Sequence, residues 1–243
     1  MAKNITIKVE NLVKSYHANS EPVLKNVNLE VYEGEIFGFL GRNGVGKSTT
    51  IKCITGLHDF DSGTIIINGH DIITDTLEAK RTFGFVPDNH IAYFGMTGRE
   101  YVDFIASIYG KVDDYQEYFD YLVDYFEIRN AIDKMIGEYS HGMKQKICLI
   151  ASIIHRPKVW ILDEPLTGLD IMITKKLLDK MKEYKNNGNT IFLTSHNIDL
   201  VGKICDRVAV VNNGTIMDVV DTKAIGSQEE MEELFLKLTE AVK

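Results

Sequence analysis

Near the start of the chain, apolar and polar residues alternate with a period of two, in ITIKV and again in VNLEV within residues 3–31. This alternation predicts half-buried strands joined by polar turns. The pattern then changes. IFGFL (36–40), TFGFVP (82–87), VWILD (159–163) and TIFLTS (190–195) are short, nearly continuous apolar runs. Runs of that length suit strands buried on both faces of a parallel sheet. TIIING (64–69) predicts a further strand and turn, and VAVVNNGTIMDV (208–219) a hairpin around Asn-Gly.

Between these strands the period becomes helical. STTIKCITGL (48–57) predicts a helix closed by Gly56, and residues 171–186 predict another. Residues 97–136 hold candidate helices near 98–109 and 114–127. After Gly142, Met143, Ile147, Ile150 and Ile154 recur at helical spacing, and Pro157 marks the end. An amphipathic acidic tail closes the chain. Alternation of strand and helix predicts a mainly parallel sheet, interrupted by helices alone. The expected organisation is a single α/β domain. Its core spans 1–96 and 156–220 and includes an N-terminal antiparallel β part; 97–155 is a helical subdomain and 221–243 a tail helix.

The length of 243 residues suits one such domain. Charge sharpens the division. The chain carries a net charge of −8, yet ten acidic and four basic residues between Thr97 and Tyr139 contribute −6 of it. That stretch is also rich in Tyr and Phe, a composition shift expected of a subdomain. An acidic chain disfavours nucleic acid as a partner. Cys53, Cys148 and Cys205 stand far apart in no metal-like pattern, which suits buried thiols in a reducing compartment. MAKNITIKVENL lacks signal-peptide form. The longest apolar run, ICLIASII (147–154), is far below the ~20 residues of a membrane span. A cytoplasmic protein is expected, and any membrane role must come through a partner.

Four stretches carry chemistry. GRNGVGKS (41–48) fits G-x-x-x-x-G-K-[ST] between a predicted strand and a predicted helix. Its glycines, Gly41, Gly44 and Gly46, let backbone N–H groups approach phosphate oxygens; Lys47 reaches the β- and γ-phosphates of a nucleotide, and Ser48 binds Mg²⁺. VWILDEP (159–165) brings Asp163 and Glu164 to the carboxyl end of a strand, where open α/β sheets bind ligands. Asp163 is the candidate second Mg²⁺ ligand, and Glu164 the candidate general base for a water attacking the γ-phosphate. TIFLTSH (190–196) repeats that geometry and ends in His196. A fourth stretch, EYSHGMKQK (138–146), opens a helix, so Ser140 and Gly142 can offer a hydroxyl and a close backbone N–H to an anion. The plain alternative for Ser140 is an ordinary N-cap.

Taken in order, these motifs resemble the nucleotide-binding subunits of ATP-binding-cassette (ABC) transporters over nearly the whole chain. The resemblance implies a P-loop NTPase (RecA-like) core that binds ATP and Mg²⁺ and hydrolyses ATP. GRNGVGKST is similar to the family's phosphate loop, which adds Asn43 and Thr49 to the nucleotide-binding set. YSHGM (139–143) resembles the signature motif, LTGLD (166–170) the loop ending in Asp170, and His196 the switch histidine. Tyr16 matches the aromatic that stacks on adenine; a strand-face aromatic is the alternative. The resemblance further implies that two such subunits, identical or not, pack head to tail, the signature helix of one meeting the γ-phosphate bound by the other. It also implies a permease on a separate chain that spans the membrane and holds the subunits at its cytoplasmic face. The tail MEELFLKLTE (231–240) resembles the end of cassettes serving export-type permeases; it equally suits a packing helix.

The sequence departs from the family pattern twice. The signature usually reads Leu-Ser-Gly-Gly-Gln, and here Tyr139, His141 and Met143 replace three of those residues. In GFVPDNH (84–90), Asp88 stands where the family usually has Gln, or in some exporters Glu. Asp88 is kept as a candidate metal-site residue, with a plain loop residue as the alternative. Other classes fit less well. Ribosome-acting relatives resemble two fused cassettes, DNA-repair relatives insert a long coiled coil, and a GTPase would need Asn-Lys-x-Asp. A soluble ABC-type ATPase acting away from membranes is the alternative function.

Overall fold

A computed structural model describes residues 4–17, 20–88, 95–225 and 227–240. Among them, β1 (Ile5–Lys14), β2 (Leu24–Tyr32), β4 (Ser62–Ile67) and β5 (His70–Asp71) form an antiparallel sheet in the order β2-β1-β4-β5. A second sheet takes β3 (Ile36–Leu40), β6 (Phe83–Val86), β7 (Val159–Asp163), β8 (Thr190–Ser195), β9 (Arg207–Asn212) and β10 (Thr215–Asp221) in the order β10-β9-β3-β8-β7-β6. Every pairing in it is parallel except the β9–β10 hairpin. The helices are α1 (Lys47–Ile54), α2 (Thr76–Arg81), α3 (Gly98–Tyr109), α4 (Tyr115–Tyr125), α5 (His141–Ile153), α6 (Ile171–Asn186), α7 (Ile198–Ile204) and α8 (Gln228–Glu240).

The all-apolar strands sort their side chains into two cores, because successive residues of a strand point to opposite faces. Phe37, Phe39, Val159, Ile161, Phe192 and Ala209 pack with Ile7, Val9 and Leu29 of the antiparallel sheet. Their neighbours Leu40, Trp160, Leu162, Leu193 and Val208 join the opposite core with Val102 of α3, Phe119 of α4 and Ile147 of α5. Runs such as VWILD are therefore apolar throughout because both faces are covered.

The acidic, tyrosine-rich stretch is fastened by its own cations and by lysines of α6. Thr97 and Glu100 form a capping box that starts α3. Arg129 pairs with Asp120 and Asp124, and Arg99 with Asp133. Lys176 donates to the Tyr125 carbonyl at 2.9 Å, and Lys180 lies 4.6 Å from the centre of the Tyr121 ring. The acids of the stretch are thus paired by its own arginines, while a carbonyl and a ring of α4 meet the lysines of α6.

The structure corrects several boundaries. The tail helix starts at Gln228, not 221, since Asp221 ends β10 and a short 3-10 turn covers Thr222–Ala224. β4 begins at Ser62, two residues before the predicted strand. The α1 helix begins at Lys47 and ends at Ile54, before Gly56. Helices α2 and α7 were not predicted; they span only six and seven residues, too short to repeat an apolar period. No helix among the described residues is long and apolar enough to cross a membrane.

Candidate active site

The parallel register gathers the candidate residues at one end of the sheet. Leu40 of β3 lies beside Ser195 of β8, Thr194 of β8 beside Asp163 of β7, and Leu162 beside Val86 of β6. The loops leaving these strands therefore meet. Between β3 and α1 the chain turns at Gly46, whose φ of 108° is in the left-handed region and favours glycine. A Cβ there would come within 2.9 Å of Leu24. The turn points α1 back over the loop.

Lys47 is the buried centre of this loop, 5% exposed. Its Nζ donates to the Gly41 carbonyl at 2.8 Å and the Arg42 carbonyl at 3.3 Å. The same Nζ lies 3.3 Å from Glu164 Oε1, close enough to pair by charge. That oxygen is buried and accepts no hydrogen bond among the described groups. The other carboxylate oxygen, Glu164 Oε2, accepts from His196 Nδ1 at 3.0 Å. Ser48 Oγ donates to Asp163 Oδ1 at 3.4 Å. Burial pushes the Asp163 carboxyl above its ordinary value; hydrogen bonds from Thr194 and Ser48 act against it, and the charges of Asp88 and Glu164 reinforce it.

A cleft of about 440 Å³ opens over these groups, lined by Asn43, Gly44, Gly46, Lys47, Ser48, Thr49, Asp88, Glu164 and His196, with Val23 and Thr167. Gly41 lies just beneath, its N–H bonded to the Ser195 carbonyl at 3.3 Å. Other candidates lie outside that lining. Tyr16 is half exposed, and its hydroxyl is 3.0 Å from Thr49 Oγ1. Ser140 caps α5 by accepting from the Met143 N–H at 3.3 Å, so the N-cap alternative describes it within one subunit. Gly142 follows on the first turn of α5. Asp170 caps α6, accepting from the Ile173 N–H at 2.9 Å. Asp88 is exposed on the cleft wall, while Asn89 and His90 of GFVPDNH lie outside the described residues.

Two site-building residues escaped the sequence reading. Thr194 is fully buried; its hydroxyl donates to Asp163 Oδ1 at 2.6 Å and accepts from the Glu164 N–H at 3.0 Å. Gln145 is also fully buried, and its Nε2 donates to the Pro165 carbonyl. Between these two anchors Glu164 has φ of 47°, a left-handed conformation that a non-glycine residue holds only when its surroundings impose it. The signal for Thr194 was a polar residue inside an apolar strand; for Gln145, a polar residue on the buried face of an apolar-periodic helix. Removing the Thr194 hydroxyl with Thr194→Val should cost about 1–3 kcal/mol, because the Glu164 N–H and a carboxylate oxygen lose a partner. Thr194→Ser should hold nearly full stability. Urea unfolding of the two variants checks this.

A family model described as ABC transporter matches residues 24–167. The chain belongs to the ABC transporter family. It is an ATP-binding subunit of such a transporter and an ATPase. It is 35% identical to an uncharacterised ABC transporter ATP-binding protein of Methanocaldococcus jannaschii, over 86% of this chain and 74% of that one. It is 31% identical to the linearmycin resistance ATP-binding protein LnrL of Bacillus subtilis, over 93% and 70%. A solved structure titled as the ATP binding subunit of an ABC transporter superposes with a TM-score of 0.89 at 30% identity, covering 96% of this chain and 99% of that one. The ABC subunit therefore has the P-loop NTPase fold that its motifs implied.

Proposed function

We propose that this ABC subunit closes head to tail with a second ATP-binding subunit around two ATP molecules, and so drives a permease carried on a separate chain at the cytoplasmic face of the membrane. The observation behind this reading is a division of labour within one subunit. Lys47, Ser48, Glu164 and His196 line one cleft, with Asp163 bonded to Ser48 beneath them, whereas Ser140 and Gly142 begin α5 outside its lining. A helix start with an exposed hydroxyl and a close backbone N–H suits a phosphate held by another subunit.

Within each cleft, the N–H groups of the 41–46 loop and Lys47 hold the β- and γ-phosphates, with Asn43 and Thr49 beside them. Tyr16, at the edge of α1, supports the adenine ring. The oxygens of Ser48 and Asp163 are hard donors suited to Mg²⁺, with Asp88 on the same wall. No cluster of three or more metal-binding side chains occurs among the described residues; this fits a cation that takes further ligands from phosphate and water. Bound there, Mg²⁺ would neutralise charge on the phosphates. Glu164 takes the proton of the attacking water, and His196 holds the carboxylate in place. Asp170 fixes the start of α6 after the loop that carries Thr167.

An apolar groove of about 240 Å³, lined by Phe85, Tyr101, Ile105, Tyr109 and His155, supports the permease partner. Its Phe85 wall leads through Pro87 to Asp88, so a segment seated there touches the strand that enters the cleft. Export is supported by the tail MEELFLKLTE and by the 31% identity to a protein named for linearmycin resistance.

The head-to-tail arrangement makes a mixing prediction. Ser140→Arg should leave ATP binding by the single subunit near normal, because Lys47 and Ser48 are untouched, but should abolish ATP-driven dimerisation and hydrolysis. If the partners are identical copies, mixing Ser140→Arg with Lys47→Ala subunits creates one composite site with both lesions and one with neither, so some dimer should return. Light scattering of the mixture reads the outcome. A residue acting only as an N-cap lowers stability by about 0.5–2 kcal/mol and gains nothing from mixing.

A further inference from the structure

The start of α5 and the turn that carries Glu164 touch directly. Gln145 lies one turn into α5, wholly buried, and its amide N–H reaches the carbonyl of Pro165, the residue after Glu164. Among the described residues Gln145 Oε1 is buried without a hydrogen-bond partner, so the bond to Pro165 is the one hydrogen bond described for this side chain. A second contact lies close by. Gly168, with φ of 80°, packs so tightly on His141 that a Cβ would come within 2.5 Å of the ring. The 164–168 turn is thus seated on the first two turns of α5. Its other anchor is Thr194, which belongs to the sheet and holds the Glu164 N–H at 3.0 Å.

The two anchors differ in what can move them. Thr194 sits in β8 between β3 and β7, and moves only if the sheet does. Gln145 rides on the helix that begins at Ser140. We propose that Gln145 is a positioning residue through which the helix meeting the partner's ATP sets the Glu164 turn of its own subunit. This rests on the head-to-tail reading above. Engagement of α5 by one nucleotide then adjusts the carboxylate facing the other, and hydrolysis at the two clefts becomes cooperative. Small displacements suffice, since a misplacement of about 1 Å at a reacting group costs roughly 10²-fold in rate.

The experiment uses the full chain with Gln145→Met, which keeps length and burial but removes the donor together with the unpartnered oxygen. ATP affinity by calorimetry should stay near that of the parent, confirming a folded cleft. ATPase turnover should fall by about tenfold or more, and the sigmoidal dependence of rate on ATP in the parent should become hyperbolic. Gln145→Leu is the second variant if Met is not tolerated. Parent-like turnover in a folded variant would overturn the proposal, as would lower turnover with unchanged sigmoidicity, or a hyperbolic parent. Glu164→Gln run alongside separates the two levels: if it is inactive while Gln145→Met is normal, only the link fails; if it is active, the assignment of Glu164 fails first.

Discussion

Glu164→Gln should bind ATP as the parent does and lose about 10²–10⁴-fold in turnover, the scale of a general base. The amide has the same shape as the carboxyl but takes up no proton at neutral pH. In the cleft the consequences are local. His196 Nδ1 keeps an oxygen to donate to at the 3.0 Å position, and the backbone turn held by Thr194 is unaffected. Lys47 loses a negative partner 3.3 Å away, which leaves its charge more available to phosphate. Binding should therefore persist or tighten, and dimers with ATP trapped between them should accumulate. Steady-state phosphate release and light scattering with ATP give the two readouts. Near-normal turnover would remove Glu164 from the role of base.

Lys47→Ala should lose ATP binding almost entirely. The ammonium is buried, and its partners are two backbone carbonyls of the loop and one carboxylate oxygen. It arches over the loop and fixes its shape as well as supplying charge. Each charge-assisted hydrogen bond to phosphate contributes about 1.5–3 kcal/mol, so losing contacts to both the β- and γ-phosphates weakens affinity by roughly 10²-fold or more. Alanine also strands Glu164 Oε1 without a nearby cation, and the carboxylate then repels the phosphates. Isothermal calorimetry with ATP measures the loss, and a parent-like melting curve without nucleotide shows that the fold survives. Unchanged affinity would overturn the phosphate-loop assignment.

Much of this architecture was legible in the chain because it is written in short-range patterns. The runs 36–40, 159–163 and 190–195 each form a strand of those bounds, and 171–186 a helix, because periods of two and 3.6 follow from local backbone geometry. Gly46 next to Lys47 and Ser48 announces a loop-to-helix turn whose N–H groups face a ligand. The acids of WILDEP could be placed at a strand end for the same reason. Helices α2 and α7 were not legible: neither reaches two full turns, and packing holds each where no repeat can form.

The tertiary structure alone decided which of these ends meet. Nothing local states that β8 lies between β3 and β7, yet that order places Thr194 against Asp163 and Glu164, and His196 against the Glu164 carboxylate. Nor does the sequence state that Gln145 bonds to Pro165, twenty residues on, or that His141 lies against Gly168. Sequence by itself determined the longer elements, the phosphate loop and the acids of the site, since each depends on neighbours a few residues away. The conformation of Glu164 and the contact between α5 and its turn depend on which buried polar groups find partners across the fold. A chain settles that only when it packs, because an unpaired buried group costs more than its own segment can repay.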